Sequence, residues 1–125
     1  MKAHPFTSEF LEAMRFHLVE LRGELLNQSL RLQQDLRERD NFSSDEAEQS
    51  SQMSQEYQLY ITQKRIRQLL LEVDSALARL ESGNFGFCEE TGEPIEIERL
   101  LLMPYTRLSA EGAEIRDTAQ KRLLG

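Results

Sequence analysis

The chain has 125 residues and a formal net charge of −7, from 22 acidic against 15 basic side chains; that balance argues against sequence-independent clamping of DNA or RNA, which needs a basic face. Hydrophobic residues make up 39% and charged residues 30%, which allows only a lean core and points to long solvated helices, in one domain or a small domain with an appendage. No apolar run reaches the ~20 residues of a membrane span, the opening MKAHPFTSEF lacks the apolar stretch of a signal peptide, and a single cysteine, Cys88, excludes an internal disulfide framework, so the expectation is a cytoplasmic protein with no membrane partner.

Residues 1–7 read as a short tail. Thr7 or Ser8 can cap the helix that follows. Phe10, Met14, Leu18, Leu21, Leu25, Leu32 and Leu36 then recur at steps of four, four, three, four, seven and four. This is an amphipathic helix with a narrow, near-heptad seam. It should end near RERDNF, where Arg37 and Arg39 suit a helix C-terminus.

The segment NFSSDEAEQS breaks the pattern and holds two overlapping capping boxes, Ser43-x-x-Glu46 and Asp45-x-x-Glu48. A second helix should start here. Its seam is predicted as Met53, Tyr57, Tyr60, Ile66, Leu70, Val73, Leu77 and Leu80, with polar Gln63 and Lys64 interrupting the middle. Gly83 stops it. Two helices of roughly 35 residues joined by a short polar turn predict an antiparallel coiled-coil hairpin over residues 8–82, with a tip near 41–50 and arms on the order of 50 Å long. A rod with a tip is an unusual shape for an enzyme and suits a protein that must reach.

Residues 83–125 predict a small globular segment. Gly86, Gly92, Pro94 and Pro104 are turn makers, and short strands are expected around Phe85–Cys88 and Ile95–Ile97. A last helix spans 109–124, with Ser109 as its cap and Gly112 as a soft spot. The fold class is therefore mainly α: a long helical hairpin plus a small globular segment with short strands and a C-terminal helix.

The stretch ALARLESGNFGFCEETGEPIEIERL places Gly83, Phe85, Gly86, Cys88, Gly92, Ile95, Arg99 and Leu100 in a specific pattern, with Pro104 just beyond. It resembles the boundary between coiled coil and zinc finger in the DksA/TraR family of bacterial transcription factors. Seventeen residues separate Thr91 from Ser109, which is the family spacing between its two cysteine pairs. The resemblance covers the whole chain, because the helical hairpin is also the family architecture.

The resemblance puts the four metal positions at Cys88, Thr91, Ser109 and Gly112. A structural zinc takes four Cys, His or carboxylate ligands, and three of these positions have lost their cysteine. His4 and His17 lie at the other end of the sequence; Glu89, Glu90 and Glu111 are nearby oxygens. The expectation is a zinc-finger-like segment without zinc, held by its dense apolar side chains at ~1.5–3 kcal/mol for each one buried. Thr91 and Ser109 would hydrogen-bond one another or the turn backbone.

The resemblance further implies insertion of the hairpin into the secondary channel of RNA polymerase, where an Asp-x-x-Asp-x-Ala tip acts near the active site. The corresponding residues are Asp45, Glu48 and Ser50. The same acids are what a helix N-terminus prefers, so the residues alone leave capping and function both open. Many family members act in the stringent response together with ppGpp. At the family's basic positions this chain has Glu72 and Met103; an acid repels a polyphosphate, and weak or absent ppGpp synergy is expected. Arg99 and Arg107 are candidate polymerase or nucleotide contacts, as are Lys64 and Arg65 on the second arm, beside Arg67. The arm cations read equally as a solvated helix face. Cys88 is either a redox-responsive thiol or an inert one packed between aromatics.

No Ser-His-Asp order, Gly-rich phosphate loop or metal-ligand pair suggests catalysis. The expected function is a non-enzymatic transcription regulator that binds RNA polymerase as a monomer, without sequence-specific nucleic-acid binding. Two alternatives stay open: a Gre-type transcript-cleavage or anti-pausing factor, and a helical-hairpin adaptor without polymerase activity.

Overall fold

A computed structural model describes residues 4–39 and 46–124, with the backbone alone for 46–50. The chain is mainly helical: α1 (Ser8–Arg39), α2 (Glu46–Ser82), α3 (Ile97–Leu102) and α4 (Ala110–Leu124). The two long helices pack as a hairpin. α1 starts on Thr7, whose Oγ1 accepts a hydrogen bond from the Phe10 amide at 3.1 Å, satisfying one of the orphan donors of the first turn. α2 stops in a Schellman turn: Asn84 N–H donates to Arg79 O at 2.9 Å and Gly83 N–H to Leu80 O at 3.4 Å.

The chain divides into two compact units. One is the arm, Leu21–Leu71. Leu25, Gln63 and Ile66 are buried there, and Leu21, Ser29, Leu32, Leu36, Gln52, Glu56, Leu59 and Leu70 are half-buried. On α2 the seam therefore reads Gln52, Glu56, Leu59, Gln63, Ile66 and Leu70, at unbroken steps of four and three. This corrects the expected seam. Met53, Tyr57 and Tyr60 stand one residue out of phase and are exposed by 70, 64 and 61%. A helix keeps its phase, and counting back from Ile66 in alternating threes and fours arrives at Gln63 and then Leu59, not at Tyr60. Gln63 does not interrupt the seam but belongs to it, and among the described residues no buried side-chain polar atom lacks a partner.

The other unit comprises the described residues up to Glu20 and those from Glu72 onward. Met14 and Leu18 of α1, Val73 and Ala76 of α2, and Phe85, Ile95, Leu100 and Pro104 form its core. The expected short strands are reduced, among the described residues, to one antiparallel bridge between Phe87 and Pro94. Two hydrogen bonds flank it, Cys88 N–H to Glu93 O at 2.8 Å and Ile95 N–H to Gly86 O at 2.7 Å. Pairing goes no further because Ile97, expected in a strand, opens α3 instead. The turn before it serves a second purpose: both carboxylate oxygens of Glu96 accept the Ala110 N–H, at 3.1 and 3.3 Å, at the start of α4.

Candidate functional site

The finger brings its four predicted ligand positions together. Ser109 caps α4, its Oγ accepting from Gly112 N–H at 3.0 Å. Thr91 Oγ1 accepts from Glu93 N–H at 3.2 Å inside the turn that returns Gly92 N–H to Cys88 O. Cys88 lies between them, 3% exposed. Burial pushes its thiol up, but hydrogen bonds from the side chains and backbones of Ser109 and Thr91 outweigh this and bring it down to about 6. The fourth position is a glycine for a steric reason. A Cβ on Gly112 would overlap Cys88 Sγ and stand 3.3 Å from Glu90 Cβ and Ser109 Oγ.

This donor set is one sulfur, two hydroxyls and a residue with no side chain. It does not fit a tetrahedral zinc site, which needs four thiolate, imidazole or carboxylate ligands. Among the described residues no cluster of three or more His, Cys, Asp or Glu side chains could hold a metal.

Three other devices close the finger. Phe6, 6% exposed, fills the hollow over Gly86, where φ is +91° and a Cβ would overlap its ring. Phe10 stacks on Phe6 at 5.3 Å between centroids, and His4 meets Phe87 edge-on at 5.6 Å. Arg107 forms the second device. Its Nε donates to Glu72 Oε2 at 2.9 Å, one terminal nitrogen to Glu89 Oε1 at 3.0 Å, and the other to Ser75 Oγ at 2.9 Å. One guanidinium thus ties α2 to the finger turn, and the two carboxylates raise its already high pKa further. Beside it Arg79 donates to Ser75 Oγ at 2.8 Å and to Tyr105 O at 3.4 Å; burial, and then the Arg107 charge, lower its pKa. The third is Arg116 of α4, which pairs with Glu90 at 3.1 Å and Glu89 at 3.6 Å.

The remaining predicted site residues are distributed as follows. Arg99 Nε donates to Leu108 O at 2.8 Å, so that Arg99 and Arg107 both hold the finger together. Lys64 and Arg65 are exposed on the arm. Asp45 lies outside the described residues; Glu48 and Ser50 fall in the first turns of α2, and their side chains lie outside the description as well. Phe6, Ser75 and Glu96 also take part in the site, although they were not among the predicted site residues. The contacts by which they close the finger, Phe6 over Gly86, Ser75 with Arg107 and Glu96 with Ala110, join residues far apart in the sequence.

Comparison with known proteins matches the same region. Residues 83–116 fit the prokaryotic dksA/traR C4-type zinc finger. The chain is 32% identical over 111 residues to the RNA polymerase-binding transcription factor DksA of Caulobacter vibrioides, covering 89% of this chain and 78% of that one. Its structure resembles that of transcription factor DksA2 from Pseudomonas aeruginosa, with a TM-score of 0.84 at 32% identity, over 97% of this chain and 93% of that one. A Chlamydia trachomatis RNA polymerase binding protein and transcriptional regulator shares the fold, with a TM-score of 0.56 at 20% identity. With the finger pattern, the paired long helices and a relative matched along most of both chains, this protein belongs to the DksA/TraR family.

Proposed function

We propose that this protein is a transcription regulator that binds RNA polymerase, with its arm entering the secondary channel as a single copy and its tip acids acting near the active site. The observation that carries the reading is the extent of the likeness. A relative named as an RNA polymerase-binding transcription factor matches along 89% of the chain, through arm and finger alike. The tip residues in this reading are Asp45, Glu48 and Ser50. A carboxylate at the end of a paired helix can be delivered to basic groups or Mg²⁺ in a narrow space. The role is non-enzymatic and cytoplasmic; no described helix is long and apolar enough to cross a membrane.

The finger in this reading works without zinc, its closure supplied by Phe6, Arg107 and the Cys88 cluster. Synergy with ppGpp is weak or absent. Glu72 stands where the family carries a base, and Arg107, the nearest cation to it, is paired with Glu72 and Glu89; a polyphosphate would have to displace both carboxylates.

The test is inhibition of a ribosomal promoter by purified polymerase with wild-type protein against Asp45→Asn, each with and without ppGpp. Loss of inhibition in Asp45→Asn with polymerase binding intact supports the tip. Equal inhibition by the two removes the tip from the mechanism, failure to co-purify with core polymerase removes the reading itself, and full ppGpp synergy overturns the nucleotide expectation.

A further inference from the structure

α2 carries a second stripe beside its seam. Met53, Tyr57, Tyr60, Lys64, Arg67 and Leu71 step by four, three, four, three and four residues, the spacing of a coiled-coil seam. All six are exposed, Met53 and Leu71 by 70% each, Tyr57 by 64% and Tyr60 by 61%. All lie in the arm unit. Among the described residues that unit fully buries only Leu25, Gln63 and Ile66, with its seam leucines half-buried, so Met53, Tyr57, Tyr60 and Leu71 leave large side chains uncovered on the outside of a lean interior. Scattered exposed side chains need no explanation, but a contiguous stripe marks an interaction face.

The chemistry along the stripe is self-complementary when reversed. It reads apolar, aromatic, aromatic, cation, cation, apolar. If a second copy is laid end for end about residue 62, Met53 meets Leu71, Tyr57 meets Arg67 and Tyr60 meets Lys64. Each ring then faces a cation, and the two-fold axis repeats every contact. The alternating steps also interleave as the layers of an antiparallel coiled coil do. A parallel arrangement would instead set Lys64 against Lys64 and Arg67 against Arg67. An anionic membrane surface is a poor occupant for a chain of net charge −7.

We propose that this protein self-associates reversibly through antiparallel pairing of the Met53–Leu71 face of α2 with the same face of a second copy. Six side chains per copy make a small interface, and small interfaces are weak. The pair forms at high concentration and separates on dilution. While it lasts, it covers the arm tyrosines against any other protein. This inference is independent of polymerase binding, and its test does not involve polymerase.

Sedimentation velocity of the full chain is measured from about 1 to about 300 μM, a range suited to a weak interface. The sedimentation coefficient of the wild type should rise from monomer towards dimer. Two double variants are then compared, Tyr57→Arg with Tyr60→Lys, and Lys64→Glu with Arg67→Glu. All four positions are on the surface, and circular dichroism and thermal melting verify that each variant is folded. Each alone should associate at least tenfold more weakly than wild type, because its cations meet cations or its acids meet rings. An equimolar mixture should restore association: Tyr57→Arg meets Arg67→Glu, Tyr60→Lys meets Lys64→Glu, and the unchanged Lys64 and Arg67 of one chain meet the unchanged Tyr60 and Tyr57 of the other. A wild type that stays monomeric throughout overturns the proposal. So does undiminished association of either variant alone, or a mixture that stays monomeric.

Discussion

Cys88 Sγ occupies the space that a Cβ on residue 112 would need. The thiol and the glycine are therefore a matched pair, one from the finger turn and one from the first turn of α4. Two effects compete in Gly112→Ala. Helix propensity favours alanine by up to ~1 kcal/mol, while forcing an atom into a packed site costs about 1–3 kcal/mol. The overlap is with a buried sulfur, so the second effect wins, and Gly112→Ala should destabilise the protein in urea titration. Adding Cys88→Ala should recover much of the loss, giving a coupling energy in a double-mutant cycle.

The Cys88 thiol should titrate with a midpoint near 6, read from thiolate absorbance at ultraviolet wavelengths in the native protein. The sign of the stability effect follows from linkage. The folded thiol ionises more readily than the unfolded one, whose pKa is ordinary, so the unfolded state holds more protons between pH 6 and 9. Stability should climb with pH across that window and lose this contribution as pH falls through about 6. Cys88→Ser should flatten the slope. An unchanged slope in that variant would assign it to other groups.

Arg107 is about one-third exposed and its two acidic partners about two-fifths. Each ion pair is thus screened, at about 0.2–1 kcal/mol. Their value lies in having one planar group reach three partners, which lysine cannot imitate. Arg107→Lys should retain the charge but not the clasp, and lose stability in urea nearly as far as Arg107→Ala, by about 1–2 kcal/mol in total. Rising salt should narrow the gap between wild type and both variants.

Phe6→Ala should be the most destabilising of these changes, by about 3 kcal/mol or more, since it removes a buried ring from a closed site. Amide exchange should locate the effect. Protection at Cys88 and Ile95, whose N–H groups bond across the finger turn, should fall well before protection in the α2 seam of the arm.

Much of this was legible in the sequence because the signals were local. Thr7, Ser109 and Gly83 mark ends that the structure also uses, and the clean stripe from Ile66 to Leu80 set the phase of α2. The seam went astray where two stripes run side by side. From residue 52 to 63 the more apolar stripe holds Met53, Tyr57 and Tyr60, yet the inward stripe holds half-buried Gln52, Glu56 and Leu59 and buried Gln63. Hydrophobicity selects the first; helical phase selects the second. The clue was the six-residue step from Tyr60 to Ile66, because two successive steps of a seam that alternates three and four sum to seven. The closure of the finger was legible only in part. The glycines that shape its turns stand within the motif, whereas Phe6 over Gly86, Glu72 against Arg107 and Glu96 under Ala110 join positions that only the folded chain brings together.

The Phe6–Gly86 contact also sets an order of events during synthesis. Gly86 leaves the ribosome about 80 residues after Phe6, and at roughly 5–20 residues per second that is a delay of several seconds. The arm, Leu21–Leu71, is continuous in the sequence, and its two helices can meet while the finger is still unmade. The unit built from both ends of the chain must close after them. Throughout that interval Phe6, Phe10, Met14 and Leu18 stand without their later partners on a nascent helix, a sticky aromatic end that the growing chain, or a chaperone, has to shield until the finger emerges.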